Sequence, residues 1–320
     1  MTLAPGRKAE KIDRLAELSV PDEETGRSLW RETFARLRHN PMAMIGAVIV
    51  GLFLLLSIIG PFLAPHSPTA QTWRGETSIA QGLFPGPRAE NWLGVDAMGR
   101  DFFSRLLIGA RQSLLVGVVA TLLGFSIGTL LGSVSGAAAG LGGRVGRWVD
   151  NTLMRATDML LALPSLLLAI SVAALLGRSL VTVMIAVGVV QIPIFARLLR
   201  GSMIAQSNSD YVLAARSLGV RRWRIALSHV VPNSLGPVIV QATLALATAI
   251  IEAAALSYLG LGNPDPATPE WGMMLADAQV FLDLRPSWAF YPAAGIIITA
   301  LGFTLLGEAL REALDPKLRK

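Results

Sequence analysis

Long apolar runs are the feature that most constrains what this chain can fold into. A helix needs about 20 apolar residues to cross the hydrocarbon core of a bilayer. Only 16% of the 320 residues are charged, whereas soluble proteins carry about a quarter. We therefore predict an all-α integral membrane protein with six transmembrane helices, at residues 42–64, 113–139, 153–177, 179–199, 235–257 and 289–310.

The distribution of arginine and lysine indicates the orientation of these helices. With the N-terminus inside, the inner segments hold 21 basic residues and the outer segments hold 7. Because cytoplasmic loops carry the excess of basic residues, we predict that both termini are cytoplasmic. The net charge of +6 then reflects topology, and no nucleic-acid partner is expected.

The composition excludes several kinds of site. The sequence has no cysteine, which rules out disulfides, thiolate metal sites and a cysteine nucleophile. None of the four lysines follows a glycine, so the phosphate-binding pattern GxxxxGK[ST] is absent. The three histidines lie far apart and outside the predicted spans, and we predict no metal site. An intramembrane enzyme would need paired groups, yet Glu252 and Asp158 are predicted at opposite membrane faces.

The two ends of the chain differ from its apolar middle. Residues 1–27 are highly charged without apolar periodicity, so we expect a disordered cytoplasmic tail. Residues 28–41 place apolar side chains at helical spacing among arginines, which is typical of an amphipathic helix on the inner leaflet, although a plain basic flank is the alternative. The remaining predicted parts are the first transmembrane helix 42–64, an external loop 65–112 with an interfacial helix, a five-helix core 113–310 that includes the cytoplasmic loop 200–234, and a cytoplasmic tail 311–320.

The cytoplasmic stretch DYVLAARSLGVRRWRIALSHVVPN is too polar for a span and too regular for a slack loop. Asp210 suits the first turn of a short helix, and Gly219 suits the position that ends it. A second helix is predicted to begin near Arg221 and to end at Pro232, before the fifth span. The apolar faces of the two helices consist of Tyr211, Ala214, Ala215 and Leu218, then Trp223, Leu227, Val230 and Val231. Composition and spacing leave two possibilities, a docking element or a basic loop at the membrane surface.

Three residues inside the predicted spans are candidates for a pathway or gate. A charge at a helix centre costs about 2.5–3.5 kcal/mol on insertion scales, so Glu252 should face the bundle interior or water. It is either a contact for a peptide amino terminus or a structural hydrogen-bonding group. Pro164 and Pro193 should kink the third and fourth spans. Asp158 lies one turn from Arg155, which favours a local ion pair.

Three stretches of the sequence resemble one known family. The spacing of Ala214, Ala215 and Gly219, followed by Pro232, resembles the EAA loop of ABC-importer permease subunits, with Leu213 where the motif name has Glu. The segments NWLGVDAMGRDFFSRLLIGARQSL (91–114) and LSYLGLGNPDPATPEWGMML (256–275) resemble two signatures of the dipeptide/oligopeptide/nickel branch. The resemblance covers most of residues 28–315.

The resemblance implies a type I ABC-importer permease in a bacterial cytoplasmic membrane. Its expected partners are a second permease subunit, two ATPase subunits that bind the ATP and Mg, an extracytoplasmic substrate-binding protein, and a peptide as cargo. The loop would then be a coupling helix seated in an ATPase groove, formed by Asp210, Tyr211, Ala214, Ala215, Arg216, Leu218, Gly219, Arg221, Arg222 and Pro232. Nickel or another small solute is an alternative cargo, and a stand-alone channel or carrier is an alternative protein class.

The same resemblance makes the outer loop after the fifth span a candidate contact for the binding protein. The residues concerned are Asn263, Pro264, Trp271 and Gly272. A lid that only packs the mouth of the bundle is the alternative. Trp271 and Trp288 suit the outer interface, and Arg105 and Arg111 are expected to extend to the headgroups.

Overall fold

The computed structural model describes residues 29–141, 143–265 and 267–314. The predicted tail 1–27 therefore lies outside the described residues, as do residues 315–320. The described chain is all-α, and its β-structure is limited to two isolated bridges in the loop before α3. Its helices are α1 (Leu29–His39), α2 (Pro41–Leu63), α3 (Phe102–Leu141), α4 (Gly143–Leu161), α5 (Ser165–Leu176), α6 (Leu180–Gln206), α7 (Asp210–Ser217), α8 (Arg222–Tyr258), α9 (Trp271–Gln279) and α10 (Ser287–Leu314).

Five helices are long and apolar enough to cross a membrane, namely α2, α3, α6, α8 and α10. The predicted third span is different, because it consists of α4 and α5, which meet at an angle of 93°. A proline kink was predicted inside this span, but the helix stops before Pro164 and restarts at Ser165. Proline has no N–H to donate and disfavours a helical conformation in the residue before it.

The helices define two ends of a bundle. Asn40 begins α2 by accepting a hydrogen bond from the Met42 amide (2.9 Å) and donates its own amide to Glu312 near the end of α10 (3.1 Å). Both ends of the described chain therefore lie at one end of the bundle, which we call the insert end because α7 lies there too. The opposite end, the cap end, holds the 64–101 segment and α9. Since α3 ends at the insert end and α6 starts at the cap end, the bent pair completes a sixth crossing.

The helix predicted in the external loop and the predicted second span form one continuous helix, α3. Asp101 starts it by accepting a hydrogen bond from the Ser104 amide (2.8 Å), which satisfies one of the free N–H groups of the first turn. Forty residues later, α3 ends at Leu141. The continuity places the charged cap residues and the apolar span on one rigid element.

A row of glycines holds α3 against α6. Gly124, Gly128, Gly132 and Gly136 recur every fourth residue, a spacing that makes one smooth face for helix packing, which we call the glycine seam. A Cβ atom added to Gly128 would lie 2.6 Å from the Ile192 carbonyl oxygen, and one added to Gly132 would lie 2.5 Å from the Ala196 carbonyl oxygen. Only glycine permits this backbone approach. The seam is therefore a contact within the chain.

Replacing Gly132 by alanine should loosen this contact. The added methyl group overlaps the α6 backbone, and overpacking of this kind costs about 1–3 kcal/mol. Gly51→Ala is the matched control, because a Cβ atom at Gly51 meets nothing within 4 Å and alanine favours a helix by about 1 kcal/mol over glycine. Thermal unfolding in detergent should show a lower midpoint for Gly132→Ala only. Equal melting midpoints for Gly132→Ala and Gly51→Ala would contradict the close packing of α3 against α6.

Candidate functional site

The most distinctive feature of the insert end is the short helix α7, which projects from the bundle. Seven helical turns of apolar α6 precede it, and Ser209 occupies the N-cap position, although its hydroxyl donates to the Gln206 carbonyl oxygen (2.6 Å) rather than to α7. Of the eight residues of α7, only Val212 is buried and Ala215 half-buried. The other six are exposed, so the helix offers nearly its whole surface to a partner.

The projecting helix stands on a firm apolar base. Val212 packs in one cluster with Phe195, Leu199 and Met203 of α6 and with Ile225 of α8. Met203 also touches the glycine seam, since a Cβ atom on Gly136 would lie 2.8 Å from its sulfur. A displacement of α7 would therefore act directly on the α3–α6 contact.

The connection after α7 turns sharply at Gly219. This residue has φ of +73° and nothing within 4 Å of a Cβ atom, so glycine is favoured there by the backbone conformation and not by crowding. The Gly219 amide donates to the Arg216 carbonyl oxygen (3.0 Å), and the Val220 amide donates to the Ala215 carbonyl oxygen (3.1 Å). The sequence prediction of a helix stop at this glycine is confirmed.

The second predicted helix does not end at Pro232. Residues from Arg222 onward form one helix with the fifth span, ending at Tyr258. A π-helical turn at Ala226–Val230 widens the hydrogen-bonding pattern where Pro232 approaches. Asn233 and Ser234 do not cap a helix start, because both side chains donate hydrogen bonds to the preceding turn, to the carbonyl oxygens of His229 and Val230 (both 2.7 Å).

The apolar side chains of the insert divide into a buried set and an exposed set. The buried set is Val212, Ile225 and Val230. Trp223 and Leu227 were predicted to lie on the packed face with Val230, but both are exposed because the π turn rotates the helix. The exposed apolar surface of the insert consists of Tyr211, Leu213, Ala214, Leu218, Trp223 and Leu227. Leu218 is 82% exposed, and the basic residues Arg216 and Arg221 flank this surface.

Two of the three pathway candidates lie together. Pro164 stands at the break between α4 and α5, and the Ser165 side chain in the first turn of α5 lies near the carboxyl group of Glu252. Glu252 is half-buried. Pro193 is instead buried within α6, which runs on unbroken for 27 residues. Glu252 therefore lies beside the bend between α4 and α5, whereas Pro193 packs inside an unbroken helix.

The cap end contradicts several expectations for surface residues. Trp271 and Trp288 are 6% and 4% exposed, and the Trp271 indole N–H donates to the Leu106 carbonyl oxygen (2.9 Å). A Cβ atom on Gly272 would lie 2.7 Å from the Ala254 Cα atom. Neither residue presents a side chain outward, because α9 is folded into the helix ends. Pro264 is exposed and Asn263 is half-buried.

Arg105 also differs from its expected role. It was predicted to extend to the headgroups, but it is 3% exposed, with its Nε atom 3.4 Å from Asp96 Oδ2. Arg100 pairs with the same oxygen at 2.6 Å. These pairs hold the 64–101 segment onto the start of α3. Arg111 is exposed.

Comparison with known proteins identifies the family of this arrangement. Residues 128–320 match the family model described as the binding-protein-dependent transport system inner membrane component. The chain belongs to that family. Residues 28–81 match a second model, the N-terminal transmembrane domain of oligopeptide transport permease C. The protein is thus a multi-pass inner-membrane permease of an ABC importer.

The sequence similarity between this permease and its relatives extends along nearly the whole chain. The permease is 43% identical to the dipeptide transport system permease protein DppC of Alkalihalophilus pseudofirmus, over 93% of both chains. It is 41% identical to the glutathione transport system permease protein GsiD of Shigella flexneri, over 94% of both. Both relatives are transport permeases and not enzymes.

A solved structure supports the fold. The permease matches a chain of the methionine ABC transporter MetNI in inward-facing conformations, with a TM-score of 0.52 and 17% identity. The match covers 66% of this chain and 96% of that chain. The type I permease architecture predicted from the sequence is confirmed, while the cytoplasmic location of the termini stays a prediction.

The ion pairs of the permease include one that sequence reasoning missed. Asp150 of α4 accepts two hydrogen bonds from Arg200 of α6 (2.6 and 2.7 Å) and one from Ser135 of α3 (2.5 Å). Asp158 was predicted to pair with Arg155, but it pairs with Arg197. Helical spacing could not predict either pair, because Arg197 and Arg200 lie on α6, at separations of 39 and 50 residues from Asp158 and Asp150. Together they join the bent pair to α6.

No metal site emerges in the part of the chain that the structure describes. Within it, no group of three or more His, Cys, Asp or Glu side chains is placed to hold a metal ion.

Glu270 is a buried carboxyl group that sequence reasoning also missed. It precedes α9, is 2% exposed, and receives the Ser257 hydroxyl at 2.9 and 3.0 Å from its two oxygens. A single hydroxyl has only one hydrogen to donate. Burial raises the pKa of Glu270 to about 7, although the Ser257 hydrogen bond opposes the shift. The sequence showed only a glutamate directly before a tryptophan, and that pattern does not indicate burial.

We expect a measurable coupling between Asp150 and Arg200. Their side chains are 10% and 29% exposed, whereas those of Asp158 and Arg197 are 56% and 55% exposed. A double-mutant cycle with Asp150→Asn and Arg200→Gln should give a coupling free energy of about 2 kcal/mol, against about 0.5 kcal/mol or less for the exposed control pair. Unfolding of the purified permease measures both cycles. Coupling energies of the same size would refute the difference.

The raised pKa of Glu270 predicts a loss of stability as pH rises. The unfolded carboxyl group ionises near pH 4.5 and the folded one near 7, so the folded state is at no disadvantage below pH 4.5 and loses stability between 4.5 and 7. Each pH unit in that window costs about 1.4 kcal/mol, or about 3 kcal/mol in all.

Glu270→Gln should remove most of this pH dependence, because its amide does not ionise. Melting midpoints of the wild-type permease and of the variant, measured from pH 4 to pH 8, test this expectation. Asp265→Asn, a change at an exposed carboxylate of the same loop, serves as the control. A Glu270→Gln profile that follows the wild type would show that another group titrates.

Proposed function

We propose that this permease moves short peptides across the membrane by alternating access, driven by ATPase subunits that dock on its insert end. Two such subunits bind the ATP and Mg, and a second, similar permease chain completes the pathway. An extracytoplasmic binding protein delivers the peptide. The chain itself carries out no chemistry.

The observation that carries this proposal is the projecting insert. Six of eight α7 residues are exposed, and the apolar side chains of Leu218 and Trp223 extend beside them. Exposed apolar side chains that cluster outside the spans favour a protein contact. Because the sequence lacks a P-loop, ATP-driven transport by this permease requires a nucleotide-binding partner. The alternative, a basic loop that only rests on the membrane, would not require Val212 to be buried against α6 and α8.

The bend between α4 and α5 supports a pathway near Glu252. An open groove of about 600 Å³ lies at the α4 side of the bend, lined by Leu161 of α4, by Ile194 of α6 and by Pro237 of α8, and Glu252 is not part of its lining. Broken helices of this kind are tolerated at membrane depth where they line a cavity or are covered by protein. A second permease chain facing this groove would enclose it.

Peptide cargo is the best-supported choice. The named relatives transport a dipeptide and glutathione, which is itself a small peptide. A half-buried carboxylate such as Glu252 suits an ammonium group. Nickel or another small solute, carried by the same type of importer, is the second candidate cargo. A stand-alone channel or carrier is the third candidate, although it leaves the projecting insert without a role.

A charge placed on the insert tests the docking. Leu218→Asp should abolish co-purification of the ATPases and transport-linked ATP hydrolysis, since it places a carboxylate in an apolar contact. Ser217→Asp is the matched control, because it introduces the same charge at the neighbouring exposed position. Mass spectrometry of gently solubilised complexes and ATPase assays in nanodiscs measure the outcome.

The two arms separate the candidate functions. An importer loses its ATPases in Leu218→Asp and keeps them in Ser217→Asp. A permease that purifies alone from wild-type membranes and still transports peptide would overturn the proposal. Uptake of labelled dipeptide and of nickel by the intact complex then distinguishes the cargoes.

A further inference from the structure

A groove lies between the first and the last helices at the insert end. Its volume is about 620 Å³, which is in the range of pockets that receive a small ligand. One wall is formed by Arg36 and His39 of α1 and by Pro41 at the start of α2, and the other wall is formed by Ala309 and Glu312 near the end of α10. The proposed function uses none of these residues.

The groove carries one positive and one negative side chain that do not pair with each other. Arg36 is half-buried, and no ion pair within the described part of the chain includes it. Glu312 is exposed, and one of its oxygens accepts a hydrogen bond from the Asn40 side-chain amide (3.1 Å). A lone anion would be repelled by Glu312, and a lone cation would be repelled by Arg36. The lining therefore suits a ligand that carries both an oxyanion and an ammonium group.

The groove lies at the level where two membrane-crossing helices change from apolar to charged. The helix α2 begins at Pro41, and its exposed side chains are apolar from the first turn onward, beginning with Met42, Ile45 and Val48. The helix α10 has no charged residue before Glu308. Lipid headgroups lie at this boundary between the hydrocarbon core and water.

The helix α1 has the chemistry of a helix at the membrane surface. Phe34 is 64% exposed, and the guanidinium of Arg38 lies 5.8 Å from the centroid of its ring. An exposed aromatic side chain among basic residues is typical of helices that lie among lipid headgroups. A headgroup in the groove would leave its acyl chains beside the exposed apolar face of α2. This continuity favours a lipid over a water-soluble zwitterion such as a free peptide.

We propose that this groove binds the headgroup of phosphatidylethanolamine, with Arg36 at the phosphate and Glu312 at the ammonium group. Arginine offers phosphate two parallel hydrogen bonds in a fixed geometry. The carboxylate of Glu312 keeps acceptor capacity beside Asn40. The trimethylated ammonium group of phosphatidylcholine has the same charge but no hydrogen to donate, so the groove distinguishes the two lipids. The bound lipid would tie α1 to the end of α10.

The lipid selectivity of the purified permease tests this inference. Native mass spectrometry measures the dissociation constants of phosphatidylethanolamine, phosphatidylcholine and phosphatidylglycerol that have identical acyl chains. We expect the wild type to bind phosphatidylethanolamine about tenfold more tightly than the other two lipids. Glu312→Gln should bind phosphatidylethanolamine and phosphatidylcholine alike, because the new amide oxygen still accepts from Asn40 but carries no charge. Arg36→Gln should weaken the binding of all three lipids.

Two variants outside the groove are the matched controls. Glu308→Gln removes the same charge one turn earlier on α10, and Arg38→Gln removes the same charge two residues later on α1. Neither residue lines the groove. Both variants should therefore keep the selectivity and the affinities of the wild type.

Three results would each overturn the inference. Equal binding of the three lipids by the wild type, or a preference for phosphatidylglycerol, would show that the groove does not select this headgroup. An equal loss in Arg38→Gln and Arg36→Gln would indicate diffuse attraction to the membrane surface. Glycerophosphoethanolamine, which has the same headgroup without acyl chains, is titrated on the same samples, and binding as tight as that of the lipid would assign the groove to a soluble zwitterion. The selectivity of the wild type decides the matter even if a variant fails to fold.

Discussion

The close approach of α3 and α6 is the contact on which the rest of the permease depends. Inside a bilayer, apolar side chains gain little by touching each other rather than lipid, so helix contacts rely on tight backbone packing. The glycine seam supplies this packing, with carbonyl oxygens of α6 lying where side chains would otherwise stand. The insert helix α7 and the bent pair are both attached to these two helices.

At the insert end, Met203 of α6 lies between the seam residue Gly136 and the base of α7. Arg200, one turn earlier, binds Asp150 of α4 together with Ser135 of α3. The insert helix α7, the glycine seam and the bent pair thus meet within two turns of α6. A partner that moves α7 would act on all three through direct contacts.

The helix α8 links the two ends of the bundle without a break. It runs for 37 residues from Arg222 to Tyr258, which corresponds to about 55 Å at 1.5 Å per residue. Its first turns carry Trp223 of the insert, its later part carries Glu252 beside the bend, and Ser257 near its end donates to Glu270 under the cap. Because Pro232 does not interrupt it, the insert and the cap are connected by one rigid body.

The sequence by itself determined the number of crossings, the position of the insert and its glycine stop, and the packing face of α3. These features follow from local rules, since apolar length, helical period and the backbone freedom of glycine act within one segment. The fine register of the insert did not follow, because the π turn that exposes Trp223 and Leu227 depends on how α8 packs.

Only the tertiary structure decided the partners of the charged residues. Asp150 and Arg200 are 50 residues apart in sequence, so no spacing rule joins them, and Asp158 finds Arg197 rather than its helical neighbour Arg155. Burial of Trp271, Arg105 and Glu270 likewise arises because α9 folds into the helix ends. Charge and polarity along a sequence indicate which residues need a partner, but the packing of distant helices determines which partner each one finds.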